Sequence, residues 1–422
     1  MNILFLCNKS PYPAREGGPI AMNMMIEGVI HAGHRVKVLA VNSNKYSVAI
    51  SSIPDDYKAR TGIEFVQIDL RIKPFPALLN LFTSRSYHVE RFISGSFKSR
   101  LTEILQKEKF DIIQFEMLYM SPYLDTVRKF SNAKAILRAH NVEHIIWERI
   151  AKNTRNPFKR FYLNHLSRTL KKYEFSVINK FDGIVAITEN DAQIFRTVLA
   201  SRQEISGSMS KPTGTDERRT SVNQVITIPF GIDLSRFPDP LSEFEFPSLF
   251  SIGSMDWNPN IEGISWFLEK VWPQVNLKFP ALHYYIAGRH IPEWLVNKNY
   301  PNVIVVGEVE DSLKFMHSKG IMIVPLLSGS GIRIKIIEGM AANKTIISTS
   351  IGAEGIHCTH EKNIFLADTP SDFIDSISKV VENRNLCQQI GENARKLVEN
   401  EYQQKDLIEK LLGFYEKPGT QS

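Results

Sequence analysis

Short apolar runs alternate with segments of helical spacing along this chain, and the alternation occurs twice over. The first run is Asn2 to Cys7 (NILFLC), ended by the turn-rich loop NKSPYPAREGGP. IAMNMMIEGVIHAG follows at near-helical spacing, and HRVKVLAVN supplies the next strand. Strand, loop, helix and strand within roughly 45 residues make a βαβ unit, the building block of a parallel sheet covered by helices. Further strands are expected at 63–69, 111–116, 133–139, 182–188 and 223–229. Pro238, Pro240 and Pro247 then interrupt the pattern, which restarts at 248–254. LHYYIAG, VIVVGEV, GIMIVPLL and KTIISTS are the later strands, and one or two helices close the chain.

The expected fold class is therefore α/β, with two Rossmann-like parallel-sheet domains. Residues 1–238 form the first, carrying a mobile polar insertion at 200–221, and 239–247 link it to the second at 248–400. Residues 401–422 are expected as a terminal helix packing back on the first domain. A chain of 422 residues is too long for one ordinary core. The 43% hydrophobic and 23% charged content is that of a soluble globular protein. A formal charge of +6 suits an anionic ligand or membrane surface and does not indicate nucleic acid, for which no binding motif exists. Three cysteines without metal-ligand spacing favour a reducing cytoplasm. No run approaches the ~18 apolar residues of a transmembrane helix. The N-terminal run lacks a basic flank and a cleavage site, so it reads as a strand and not a signal peptide.

The stretch SGSGIRIKIIEGMA (328–341) carries the chemistry. Ile332, Ile336, Ile337 and Met340 span one helical arc suited to a sheet, while Gly331, Lys335 and Glu338 share the opposite arc. Arg333 falls awkwardly on the apolar side, although in a first turn its side chain can curl past the helix end. Free N–H groups at a helix start, glycines that let an anion approach, and two cations make a diphosphate site. A carboxylate one turn on can accept hydrogen bonds from a ribose diol. The plainer reading is an ordinary strand-to-helix turn with solvated cations and an i,i+3 pair between Lys335 and Glu338.

The whole segment 324–356 resembles the donor-binding signature of retaining glycosyltransferases of the group-1/family-4 class, which have the GT-B fold and so imply two Rossmann-like domains facing a cleft. That pattern has two glutamates separated by seven residues. The second matches Glu338, implying a ribose contact. The first falls at Ser330, so this chain departs from the pattern where a carboxylate would meet the donor sugar. The resemblance implies donor contacts from Gly17, Gly18, Gly329, Ser330, Gly331 and Ile332, with Val309 in VVGEVED near the nucleobase. It places His140, in LRAHNVEHII, beside the reacting sugar. SIGSMDWNPN (251–260) lacks the arginine and lysine that many members use on the diphosphate, which assigns that duty to Arg333 and Lys335 as catalytic cations. Asn258 is a helix cap or an acceptor or phosphate contact. Asn141 carries the same alternatives, and Glu143 reads as a cap.

The implied reaction moves a sugar from a nucleotide-sugar donor to a glycan or lipid-linked acceptor with retention, in bacterial-type surface glycan synthesis. No cofactor and no metal are expected. The stretch 152–172 holds seven Lys or Arg residues and no acid, with Phe158, Phe161 and Tyr162 interleaved. It reads either as a solvated basic face or as a contact to the anionic inner face of the plasma membrane, with 73–87 flanking the acceptor's apolar tail. Two other readings stay open: a degenerate GT-B protein that binds a nucleotide or partner without catalysis, and a GT-B sugar-nucleotide epimerase. A dehydrogenase is disfavoured, because no strand ends in GxGxxG with an acid about 20 residues later.

Overall fold

The computed structural model describes residues 1–14, 17–71, 80–207, 224–237, 244–329 and 331–416. They divide into two compact units: Met1–Pro229 with Leu407–Ser422, and Phe230–Asp406.

The first unit is built on seven parallel strands: β1 (Asn2–Cys7), β2 (Arg35–Ser43), β3 (Glu64–Ile68), β4 (Ile112–Glu116), β5 (Lys134–Ala139), β6 (Gly183–Ala186) and β7 (Gln224–Thr227). Their order is β3-β2-β1-β4-β5-β6-β7. β1 lies mid-sheet, and its unbroken apolar run reflects cover on both faces. Ile3, Phe5 and Cys7 pack on one face, which helix Gly17–His31 covers through Met22, Met25 and Ile26. Leu4 and Leu6 pack on the other, with Phe97 and Leu101 of helix Gly95–Lys107.

The far end of the chain completes the first of these faces. Helix Gln404–Glu416 lays Leu407, Ile408, Leu411, Phe414 and Tyr415 there. The Phe414 ring fills the space over Gly183, where a Cβ would stand 2.6 Å from its Cζ. Lys134 Nζ donates to the Tyr415 carbonyl at 2.7 Å, placing a cation at the helix C-terminus.

The second unit repeats the plan with β8 (Glu245–Ile252), β9 (His283–Ala287), β10 (Val303–Gly307), β11 (Lys319–Val324), β12 (Thr345–Ser348) and β13 (Phe365–Leu366), all parallel. Their order, β10-β9-β8-β11-β12-β13, matches that of the first unit when each is counted from its own first strand. Strand order therefore reverses between β1 and β4 and again between β8 and β11. In such sheets ligands bind beyond the C-terminal strand ends at that reversal.

Two expectations shift. Helix Glu189–Gly207 carries regular structure into the stretch expected as an insertion from 200, and 208–223 lie outside the described residues. Within the expected linker, 239–243 lie outside them as well, and β8 already begins at Glu245. The polar strand start is held from a distance: Lys319 Nζ reaches the Glu245 carboxylate at 2.5 Å and the Tyr285 hydroxyl donates to it at 2.7 Å. No helix among the described residues is long and apolar enough to cross a membrane.

Candidate functional site

In the second unit, β8 and β11 end side by side. From β11 the chain passes Gly329 and Gly331, with φ of 119° and 80°, into helix Ile334–Ala341. The helix starts later than the spacing suggests, and Arg333 is its N-cap residue, outside the helix. Its guanidinium turns back, donating to the Gly331 carbonyl and lying 5.2 Å from the Trp257 ring centroid. This removes the conflict of an arginine on the apolar arc. A Cβ on Gly329 would stand 2.7 Å from Arg333 Nη2, so the fold-back needs glycine there. Ile336, Ile337 and Met340 are wholly buried, and Ile332 nearly so.

Lys335 points elsewhere. Its Nζ donates to Asn260 Oδ1 at 2.7 Å, while Asn260 Nδ2 donates to the Ser254 carbonyl at 2.7 Å. A Cβ on Gly253 would come within 3.2 Å of that Nζ. Burial, helped by the Arg333 charge, lowers the Lys335 pKa to about 7. Glu338 does not form the i,i+3 pair with Lys335: among the described residues its carboxyl makes no salt bridge, and Arg236 is the opposing charge that acts on it. Burial raises the Glu338 pKa against that pull. An ammonium and a carboxyl, both desolvated and not paired with each other, suit a ligand that brings anionic oxygens to one and hydroxyls to the other.

Val309 follows β10 and is partly buried. Asn258 opens helix Asn258–Lys270 but does not cap it, since Trp257 is the N-cap residue and makes no side-chain cap bond. Ser330 lies outside the described residues.

In the first unit, Gly17 and Gly18 open helix Gly17–His31. Lys9, from the loop after β1, lies against Gly18, where a Cβ would be 3.0 Å from its Cε. His140 follows β5, is 6% exposed, and has Nε2 at 2.7 Å from Glu116 Oε2 at the end of β4. Burial lowers the His140 pKa in spite of Glu116, and Arg138 and Lys9 act in the same direction as burial. Glu116 is wholly buried, which alone would raise it, but Arg138 and His140 outweigh burial and hold it below the usual range.

Asn141 and Glu143 do not cap the next helix, Glu143–Asn153, whose N-cap residue is Val142. Glu174 caps it from helix Pro157–Ile178, accepting from the backbone N–H of Glu143 at 3.0 Å and of His144 at 3.3 Å. Glu143 instead accepts from the Tyr119 hydroxyl at 2.7 Å, and burial pushes its pKa up to about 8.

Sequence reasoning misses Asn260, Lys9 and Glu116. A signal existed for Glu116, because DIIQFE closes an apolar strand on a carboxylate at the ligand-binding edge. Asn260 had none, since its role depends on Gly253 and Lys335 meeting in space. No three His, Cys, Asp or Glu side chains among the described residues group as a metal site.

Comparison with known proteins gives this arrangement a setting. Residues 246–383 match the family model described as "Glycosyl transferases group 1". An uncharacterized 44.6 kDa protein in the cps region of Klebsiella pneumoniae is 23% identical over 427 residues, covering 97% of this chain and 98% of the relative. A glycosyltransferase from Rickettsia africae has a similar fold, with a TM-score of 0.63 and 16% identity over 100% of this chain and 99% of that one. Anabaena HepE, solved with UDP and glucose, gives a TM-score of 0.62 at 12% identity, covering 99% and 100% of the two chains. The two parallel sheets are those of the GT-B fold, and residues 246–383 form a domain of the group-1 glycosyltransferase type.

Proposed function

We propose that the protein transfers a sugar from a nucleotide-sugar donor to a hydroxyl of a glycan or lipid-linked acceptor, with retained anomeric configuration and without a metal ion. The observation that carries this reading is the Lys335 ammonium, held by Asn260 beside Gly253 at the C-terminal edge of the second sheet. There it takes up charge growing on the leaving diphosphate as the sugar becomes oxocarbenium-like. Loss of one such contact costs about 2–4 kcal/mol of barrier. Arg333 adds its charge from the preceding loop, Glu338 accepts from the ribose diol, and His140 hydrogen-bonds the reacting sugar. The leaving phosphate oxygen takes the acceptor proton on the same face, so no carboxylate nucleophile is assigned. UDP in the HepE structure supports a nucleotide-sugar donor, and the cps-region relative supports a role in surface polysaccharide synthesis.

A calorimetric panel of UDP, GDP, ADP and their sugars, with and without a chelator, tests this. Selective binding of one base, unchanged by chelator, is the expected result. If the folded protein binds none of them, the glycine loop is only a turn, and a partner-binding role without catalysis takes precedence.

The basic stretch adds a location. All seven Lys and Arg residues of 152–172 are exposed, and Phe158 and Phe161 stand 86% and 68% exposed among them. We propose that this face rests on anionic lipid at the inner face of the plasma membrane, where a lipid-linked acceptor resides. Of 73–87, expected beside the acceptor's tail, 73–79 lie outside the described residues. Flotation with liposomes containing anionic lipid should show salt-sensitive binding that Phe158→Ser with Phe161→Ser weakens. Absent or salt-insensitive binding rejects the contact.

A further inference from the structure

Beneath His140, a run of buried polar groups lies along one face of the first sheet, the face that helix Gln404–Glu416 covers. The Tyr415 hydroxyl, from helix Gln404–Glu416, bonds to Gln114 Oε1, and Gln114 Nε2 donates to Glu116 Oε1 at 2.6 Å. Glu116 Oε2 meets His140 Nε2 at 2.7 Å. Gln114, Glu116 and Arg138 are wholly buried, and Tyr415 is 1% exposed. None of these residues is needed to cover the sheet: an aliphatic chain at 114 or a phenylalanine at 415 would pack as well. Their polar atoms call for another explanation.

Hydrogen-bond logic gives the run one direction. The ionised Glu116 carboxylate can only accept, so the Gln114 amide offers it N–H and turns its oxygen to Tyr415. The phenol must then donate to that oxygen. The ionised carboxylate accepts from Gln114 on one oxygen and faces His140 with the other, while Arg138 Nη1 lies 4.0 Å from Oε1. Two acceptors cannot face each other, so the His140 proton must sit on Nε2. We propose that Tyr415 and Gln114 are positioning residues for His140: acting through Glu116, they fix its proton on Nε2 and make Nδ1 a hydrogen-bond acceptor.

Whatever group meets Nδ1 must therefore donate. A sugar hydroxyl does so, whereas a carbonyl or phosphate oxygen does not. That consequence rests on the reading of His140 as facing the reacting sugar, but the order of the hydrogen bonds does not.

The test uses the full chain labelled with ¹⁵N-histidine, read at neutral pH by two-bond ¹H–¹⁵N correlation, with the His140 signals assigned from their loss in His140→Gln. The wild type should show the Nε2–H form alone. In Tyr415→Phe, and more strongly in Gln114→Met, a second form of His140 should appear while the other histidines keep their signals. Leu411→Ala provides the control: it removes packing from the same helix face without touching the polar run, and should leave His140 unchanged. His140 signals that stay as in wild type in both Tyr415→Phe and Gln114→Met, or that shift equally in Leu411→Ala, overturn the proposal. If Gln114→Met does not fold, Tyr415→Phe decides alone. Turnover of the nucleotide sugar should fall roughly ten- to a hundredfold in kcat in Gln114→Met, with KM little changed. A shifted His140 with unaltered turnover would leave the positioning intact and remove His140 from the reaction.

Discussion

Replacing Lys335 with alanine is expected to weaken nucleotide-sugar binding by about 1.5–3 kcal/mol, roughly ten- to a hundredfold in Kd. It should also abolish the pH dependence of binding. The sign follows from the free protein, where burial and Arg333 bring Lys335 down to about 7. A bound diphosphate favours the ammonium and raises that value again, so binding above pH 7 takes up a proton. Affinity should be greatest below pH 7 and fall toward tenfold per unit above it. The free protein moves the other way. An unfolded lysine titrates near its ordinary value of 10.5, so the unfolded state holds more protons across 7–10.5, and stability rises with pH through that window. Calorimetric titration of the selected nucleotide sugar at several pH values, on wild type and variant, checks both claims. A nucleotide sugar is the right probe because its doubly esterified diphosphate keeps its charge. Equal affinities, or a wild-type affinity flat with pH, would remove Lys335 from the site.

The largest stability loss is expected for Gly288→Ala, about 3 kcal/mol or more. At φ +149° an added Cβ would stand 1.8 Å from the carbonyl oxygen of Gly253 and 2.8 Å from its carbon. These are backbone atoms that cannot step aside. Gly253 N–H donates to the Ala287 carbonyl at 3.1 Å, Gly288 N–H donates to that of Gly307 at 2.7 Å, and Ile252 pairs with Ala287 in the ladder. Gly307→Ala is the matched comparison. It also has a positive φ, of 83°, but an added Cβ meets nothing within 4 Å, so only the backbone strain of about 1–2 kcal/mol is expected. Chemical denaturation of the two variants decides. Similar losses would mean that β8 and β9 can separate at their ends, and that Lys335 and Asn260 are not held by this crossing.

What the sequence made legible follows a physical division. Strand–helix alternation is a local signal, and runs such as NILFLC and GIMIV announce strands covered on both faces, so both sheets and nearly all their strands could be placed. The arc of Ile336, Ile337 and Met340 was equally plain, as was the role of the glycine loop as a turn. The misses all depend on groups distant in the chain. Glu245 starts a strand because Lys319 and Tyr285 hold its carboxylate. Helix Glu143–Asn153 is capped by Glu174, whose distance in sequence exceeds any capping motif. Arg333 stays out of its helix because Gly329 leaves room for its fold-back against Trp257. Asn260 joins Lys335 only because two strand ends meet at Gly253 and Gly288.

The helix Gln404–Glu416 sets a schedule for synthesis. On the ribosome, β1 to β7 are made before any of the second unit, yet one face of their sheet waits for Leu407, Ile408, Leu411 and Phe414. Until those residues emerge, Ile112, Ile136 and Val185 have that part of their cover missing, and the Gln114 amide has no phenol to accept from. Nascent chains usually fold domain by domain from the N-terminus. Here the first unit can close only after the second has been translated, so the growing chain carries an apolar face for a chaperone to guard, and His140 acquires its fixed proton among the last events of folding.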